Sequence, residues 1–466
     1  MRRVAYITMF LFCFTVSFAF LSLARPGAVQ RHIISPPMEK VRKTYEVSNK
    51  LVSSDLQQVK PQVMAQTPEK SSLMPLLRWS RVDTAVAYEV DILKKNEDEQ
   101  DSYEPIMPTK RVYVTGYMFY LPKDFDGDVF YWRVRGIDLD GNGVSDYSDV
   151  EPVYVNRALP IIEKPVPLSY YDQGNGTVLL YPVYDWIPIP EADKYEIEIL
   201  DAAPENPNGT EPSVHRIDSL TCESSEQYDP KSRVSDTVLY WRVRGMDNLG
   251  HTIGVYSDAV PFKTSPEDNY EVATLGDSIS HGGGSISYSP SDWAFSYQYY
   301  LDFPTINLAQ SGDTSNMTAE RFERDVLPFH PKYLIILMGS NSLRAGESPY
   351  SVIYDMKKVK EACLDHDIKP VFLTVPPINP ANIKKAFDQD TAEDWQQRVA
   401  IVNAWIRTQV YIDITPGMSD TDGDLFTYLA LDGLHLDPQG KQMIAGAINA
   451  EWKYILSLPD DAWEKE

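Results

Sequence analysis

The sequence predicts a multidomain chain: two all-β sandwiches followed by an α/β three-layer domain on a doubly wound parallel sheet. Three observations predict it. A set of aromatic and charged anchors occurs twice, at an offset of 107 to 109 residues. The hydrophobic period changes near residue 268, from strict alternation to continuous apolar runs separated by helical spacing. The chain has 466 residues, room for roughly three domains at about 150 residues each.

Composition narrows the function before any motif is read. Lys and Arg total 43 against 67 Asp and Glu, a formal net charge of −24. A surface that acidic repels phosphate backbones, so no nucleic-acid partner is expected. The hydrophobic share of 43% is ordinary for a globular protein and excludes global disorder and a multi-span membrane protein. Cys13 lies in an N-terminal apolar run, while Cys222 and Cys363 stand far apart, so neither a disulfide framework nor a zinc site is expected. The chemistry then falls to oxygen and nitrogen side chains.

Residues 1–24 read as a signal peptide or a membrane anchor. Arg2 and Arg3 precede an uncharged apolar run that closes on Ser22-Leu23-Ala24, small residues at the −3 and −1 positions of a cleavage site. The run is also long enough to span a bilayer. Either reading puts the rest of the chain outside the cytoplasm, secreted or anchored at the cell envelope. Scarce cysteine in an exported chain suits a bacterial product. Residues 25–69 are polar, carry Pro36, Pro37, Pro61 and Pro68, and read as a linker or stalk.

Residues 70–156 and 157–264 hold the repeat. Leu77-Arg78-Trp79 and Tyr184-Asp185-Trp186 lead to Tyr88-Glu89-Val90 and Tyr195-Glu196-Ile197. Tyr131-Trp132-Arg133-Val134-Arg135-Gly136 then ends in Tyr147-Ser148-Asp149, and Tyr240-Trp241-Arg242-Val243-Arg244-Gly245 in Tyr256-Ser257-Asp258. Apolar and charged residues alternate, the period of half-buried antiparallel strands. The pattern resembles fibronectin type III modules, which implies two β-sandwiches serving as a spacer or a ligand-binding unit. The spacer reading is favoured, since fold alone gives no function.

Residues 268–458 alternate buried runs (270–275, 305–308, 333–338, 370–375, 410–414) with amphipathic helical stretches (318–327, 350–365, 391–408, 439–456). That alternation predicts a parallel sheet covered on both faces. Ligands in such sheets bind beyond the carboxyl ends of the strands. Leu275-Gly276-Asp277-Ser278 follows the first run, Ser311-Gly312-Asp313 the second, and Gly339-Ser340-Asn341-Ser342 the third. Asp432-Gly433-Leu434-His435 stands near the end of the domain.

Acyl transfer needs such a set. A serine hydroxyl is a weak nucleophile until an imidazole takes its proton, a carboxylate must hold that imidazole, and the tetrahedral oxyanion needs donors aimed at it. Ser278, His435 and Asp432 suit the first three roles. The backbone N–H groups of Ser278 and Gly312, with the Asn341 amide, suit the oxyanion hole. These four ordered blocks resemble the SGNH hydrolases, or GDSL esterases/lipases. The resemblance implies a carboxylic ester hydrolase with a Ser278–His435–Asp432 triad, an acyl-enzyme, and no metal or organic cofactor. One position departs: the family usually has Asp after the block-three Asn, and Ser342 stands here.

Export and the appended β modules favour acetyl esters of carbohydrate. A lipase or O-acyltransferase of the same family, or a silent glycan-binding surface protein, are the alternatives. Of the other histidines, His281 is close to Ser278 but too near in sequence to act as its base, and a structural role is expected. Asp138-x-Asp140-x-Asn142-Gly143 echoes a calcium loop, but it follows a strand, and a hairpin turn is favoured. Asp420, Asp422 and Asp424 read as a solvated loop. Arg344, three residues after Asn341, is a basic residue that would suit an anionic substrate, but a solvated loop arginine is favoured.

Overall fold

The computed structural model describes residues 63–96, 102–169, 176–284 and 290–464. The signal or anchor at 1–24 and most of the linker at 25–69 lie outside them. No helix among the described residues is long and apolar enough to cross a membrane.

In the first β-rich region Ala65–Gln66, Leu76–Trp79 and Gly116–Met118 form one sheet. Lys70–Ser71, Glu151–Val155, Val129–Ile137, Ala87–Lys95 and Tyr103–Pro105 form the other, with Lys110–Val112 also on Ala87–Lys95. The second region repeats the plan. Val166–Pro167, Val183–Ile187 and Glu226–Tyr228 make the small sheet. Arg216–Cys222, Lys194–Leu200, Ser235–Met246 and Thr252–Ile253 make the large one, with Val260–Thr264 also on Ser235–Met246. Small and large sheets bury Trp79 and Trp132 in the first region, and Trp186 and Trp241 in the second. The end of the stretch read as a linker is built in: Val63 is buried, and Ala65 pairs with Trp79.

The repeated motif has a physical reason. Arg133 and Arg135 pair with Asp91 (2.9 Å) and Glu89 (2.7 Å) on the neighbouring strand. Both guanidinium groups lie over the Tyr147 ring, at 4.1 and 4.8 Å. In the second copy Arg242 and Arg244 pair with Glu198 and Glu196 and lie over Tyr256. The serine after each tyrosine accepts a strand N–H: Val134 N–H reaches Ser148 Oγ, and Val243 N–H reaches Ser257 Oγ. The supposed calcium loop satisfies itself, because Asp138 Oδ1 accepts the N–H groups of Asp140 and Asn142. Asp247 does the same for Leu249 and His251, and Asp420 for Asp422 and Asp424. These are Asx-stabilised turns.

The C-terminal sheet comprises β1 (Val272–Gly276), β2 (Ile306–Asn307), β3 (Tyr333–Leu337), β4 (Lys369–Leu373) and β5 (Tyr411–Ile412). All pairs are parallel and the spatial order is β2-β1-β3-β4-β5, a doubly wound arrangement. Helices α1 (Ser278–His281), α2 (Ser315–Glu320), α3 (Phe322–Asp325), α4 (Ser340–Arg344), α5 (Pro349–Asp365), α6 (Pro380–Phe387), α7 (Trp395–Ile406) and α8 (Pro438–Ser457) complete it. The helix expected at 318–327 starts earlier, capped by Thr314, and breaks at Arg321 into α2 and α3. Short α1 and α4 escape periodicity because neither completes two turns. α6 escapes it too, although Asn379 caps it and Pro380 fills its first position.

The second β-rich region does not end at its own sheets. Leu180 N–H donates to Asn307 O (2.9 Å) and Asn307 N–H to Val178 O (3.1 Å), so a piece of this region lies parallel against β2. Val178, Leu180 and Tyr181 are buried with Ala273, Leu275 and Ile306 in the core of the C-terminal sheet. The Tyr181 hydroxyl donates to Asp325 (2.5 Å) and accepts from Arg324 (2.6 Å).

Candidate active site

β1 ends at a point where only glycine fits: a Cβ on Gly276 would lie 1.9 Å from the Leu337 carbonyl oxygen. Asp277 then caps α1, its Oδ1 accepting the Ile279 N–H at 3.0 Å. Ser278 therefore opens a helix at the carboxyl end of the sheet. Side chains from other elements fix the turn. Asn307 donates to the carbonyls of Ser280 (2.9 Å) and His281 (3.0 Å), and Gln298 to Ser280 O (2.6 Å). Lys441 on α8 donates to Ile279 O at 2.7 Å. These bonds satisfy carbonyls that so short a helix leaves unpaired.

The loop before α8 brings up the remaining partners. Asp432 is buried, and its Oδ1 accepts the N–H groups of Leu434 and His435, both at 2.8 Å. Its Oδ2 lies 2.8 Å from His435 Nδ1, and His435 Nε2 lies 2.8 Å from Ser278 Oγ. A carboxylate only accepts, so Nδ1 carries the proton and Nε2 is left to accept from the serine hydroxyl. The Phe387 ring meets His435 edge-on, with centroids 6.0 Å apart.

Gly312 has φ 90°, a left-handed conformation, with open space where a Cβ would stand. Backbone conformation, rather than crowding, selects glycine here. Asn341, at the start of α4, donates from Nδ2 to Asp313 O (3.0 Å) and accepts at Oδ1 from Arg344 Nε (3.1 Å). That leaves one amide hydrogen uncommitted, and the acceptor bond fixes which way the amide faces. Ser342, where aspartate was expected, is fully buried and accepts from the Ser315 N–H (3.1 Å). Asn341 is thus anchored through Asp313 and Arg344.

The structure brings Ser278, His435 and Asp432 into one hydrogen-bonded line, and Asn341 is tied to the Gly312–Asp313 loop. It also reveals Arg321 and Lys441, which sequence reasoning missed, and the bonds of His281, for which a structural role was expected. Arg321 donates to the carbonyls of Gly276 (2.9 Å) and Leu308 (2.6 Å) and pairs with Asp313 (2.5 Å), binding the ends of β1 and β2 to that loop. His281 Nε2 donates to Tyr181 O at 2.8 Å, so its Nδ1 accepts from the Ser311 N–H (3.2 Å) and hydroxyl (2.8 Å). Burial lowers the His281 pKa to about 4. Lys441 was legible as a polar residue on the buried stripe shared with Ile444, Ala445 and Ile448. Burial lowers its pKa to about 7 and raises that of Asp277 to about 6. Asp437, the cap of α8, is likewise pushed well above the ordinary carboxylate range by burial.

Residues 274–443 match the model of the GDSL-like Lipase/Acylhydrolase family and include Ser278, Gly312, Asn341, Asp432 and His435. Solved structures similar to the chain include a GDSL-like lipase from Bacteroides thetaiotaomicron, 18% identical over 41% of this chain and 90% of that one, with TM-score 0.34. A lipase/acylhydrolase from Enterococcus faecalis is 20% identical over 40% and 96%, with TM-score 0.32. The esterase EstA from Pseudoalteromonas sp., in a structure inhibited by monoethylphosphonate, is 14% identical over 41% and 100%, with TM-score 0.31. No curated protein matches the chain. Residues 274–443 are a GDSL-like lipase/acylhydrolase domain, and the chain is a hydrolase of carboxylic esters.

Proposed function

We propose that the chain is an exported serine esterase that removes short acyl groups, acetyl foremost, from carbohydrate. The unbroken line from Asp432 through His435 to Ser278 carries the reading. Ser278 Oγ attacks the ester carbonyl while His435 Nε2 takes its proton, and Asp432 holds the imidazole and steadies its positive charge. The Ser278 and Gly312 N–H groups and the free Asn341 amide hydrogen receive the oxyanion. His435 returns the proton to the leaving alcohol, and water then releases the acid from the acyl-enzyme by the same steps in reverse. An alcohol in place of water turns the same cycle into acyl transfer.

Three features support the finer reading. Arg2, Arg3 and the apolar run after them favour export to the cell envelope. The blocks are joined without the long apolar insertion a lipid-covering lid needs. Arg344 and Gln389, bonded to each other at 2.8 Å, give the wall beside Asn341 a polar lining suited to sugar hydroxyls. Rates on 4-nitrophenyl acetate, butyrate and octanoate, and acetate release from acetylated oligosaccharides, test it. Fast acetyl turnover that Ser278→Ala abolishes is expected. An octanoyl preference points to a lipase, and no turnover on any ester to a glycan-binding protein.

A further inference from the structure

Arg344 is a part-buried arginine that no carboxylate among the described residues contacts. The buried guanidinium groups of Arg233, Arg242 and Arg321 lie against Asp229, Glu198 and Asp313, and Arg216 pairs with Glu196 and Glu198. Arg344 is also part-buried, yet it donates only to neutral oxygens, Asn341 Oδ1 through Nε and Gln389 Oε1 through Nη1, and no carboxylate among the described residues lies within 4.0 Å of it. Burying a guanidinium without a counter-ion is costly, and nature normally supplies the partner.

Its place says where that partner comes from. Arg344 is three residues after Asn341 on α4, which puts the two on one face about 5–6 Å apart. Gln389, which holds it, follows two residues after Phe387, whose ring meets His435. Arg344 thus touches Asn341 on one side and Gln389 on the other, Phe387 two residues before Gln389 meets His435, and His435 bonds Ser278. Burial lowers the Arg344 pKa, with Asp277 and Asp432 opposing it, and a guanidinium stays charged regardless. Nη2 and one Nη1 hydrogen have no acceptor among the described residues. In a chain of net charge −24, a cation held by no carboxylate contact is a local point of attraction for an anion.

We propose that Arg344 binds a carboxylate on the molecule that carries the ester, so that the preferred substrate is an O-acyl ester of an acidic sugar. The proposal rests on the serine-esterase reading and names the substrate class for the same site. Two or three donors in a planar fork match a carboxylate.

The test uses the full chain with 3- and 4-acetoxybenzoate and the methyl esters of both, pairs that differ in one negative charge. The acid is expected to exceed its methyl ester in kcat/KM by about tenfold or more in at least one isomer, the size of one charge-assisted hydrogen bond. Arg344→Gln and Arg344→Met are expected to erase that ratio, and added salt to shrink it. A wild-type ratio of one or less, or a ratio that survives both variants, overturns the proposal. Equal losses on acid and methyl ester overturn it too, because they assign Arg344 to holding Asn341 alone. If a variant does not fold, inhibition of wild-type 4-nitrophenyl acetate hydrolysis decides: benzoate must inhibit better than benzamide, and the reverse sinks the idea. Turnover by Ser278→Ala equal to wild type removes the esterase reading itself, whatever the ratio.

Discussion

Asp277 shows how a short motif can be legible while its cost is not. Gly276, Asp277 and Ser278 are readable as a strand-to-helix turn with a capping aspartate, and the structure has that turn. Full burial of the Asp277 carboxyl, with Oδ2 unpartnered, was not readable, because it depends on α8 and on the loop before it. Its folded pKa of about 6 stands above the ordinary 3.8. The neutral acid is therefore favoured in the folded state. The penalty for the charge is absent at low pH, grows between 3.8 and 6, and is complete above it. Asp277→Asn keeps a cap-forming oxygen and removes the charge. It should raise stability by roughly 3 kcal/mol at pH 8 and by much less at pH 4, as read from thermal melts. An equal gain at both pH values contradicts the burial account. Asn341 teaches the complementary lesson. Ser342 replaces the expected aspartate beside it, and the bond from Arg344 that settles its orientation is three residues away.

At the scale of elements, the five apolar runs that become the parallel strands and the long helices α5, α7 and α8 were legible. The elements missed are those fixed by tertiary bonds, such as α1 and α4, or by a break, as at Arg321. The most consequential element is the edge piece at 178–181. Its position inside the second repeat assigns it to the second β-rich region, and nothing local announces that it lies against β2. His281 joins that piece to the loop carrying Gly312, with Tyr181 O on one side and Ser311 on the other. His281→Phe keeps a ring in the cavity but removes all three bonds. It is expected to lower kcat for ester hydrolysis by roughly ten- to a hundredfold with little change in KM, since the loss falls on the oxyanion loop rather than on substrate contact. Steady-state kinetics beside a melting curve checks this, and a kcat within twofold of wild type contradicts it.

Across the whole molecule, the β-rich regions contact the C-terminal domain directly. Arg81 of the first region pairs with Asp292, Asp140 of its turn pairs with Lys385 on α6, and the second region adds to the C-terminal sheet. The sequence shows the repeat and the change of period because both are local patterns. It hides the joints, which depend on single residues far apart in the chain. The proposed function rests on one such convergence, Ser278 meeting His435 across 157 positions. The most direct measurement is peptide mapping by mass spectrometry after treatment with an alkyl fluorophosphonate. The account predicts a single adduct on Ser278 with hydrolysis lost in step, and neither adduct nor hydrolysis in Ser278→Ala. An adduct on another residue, or full hydrolysis with Ser278 unmodified, would contradict it.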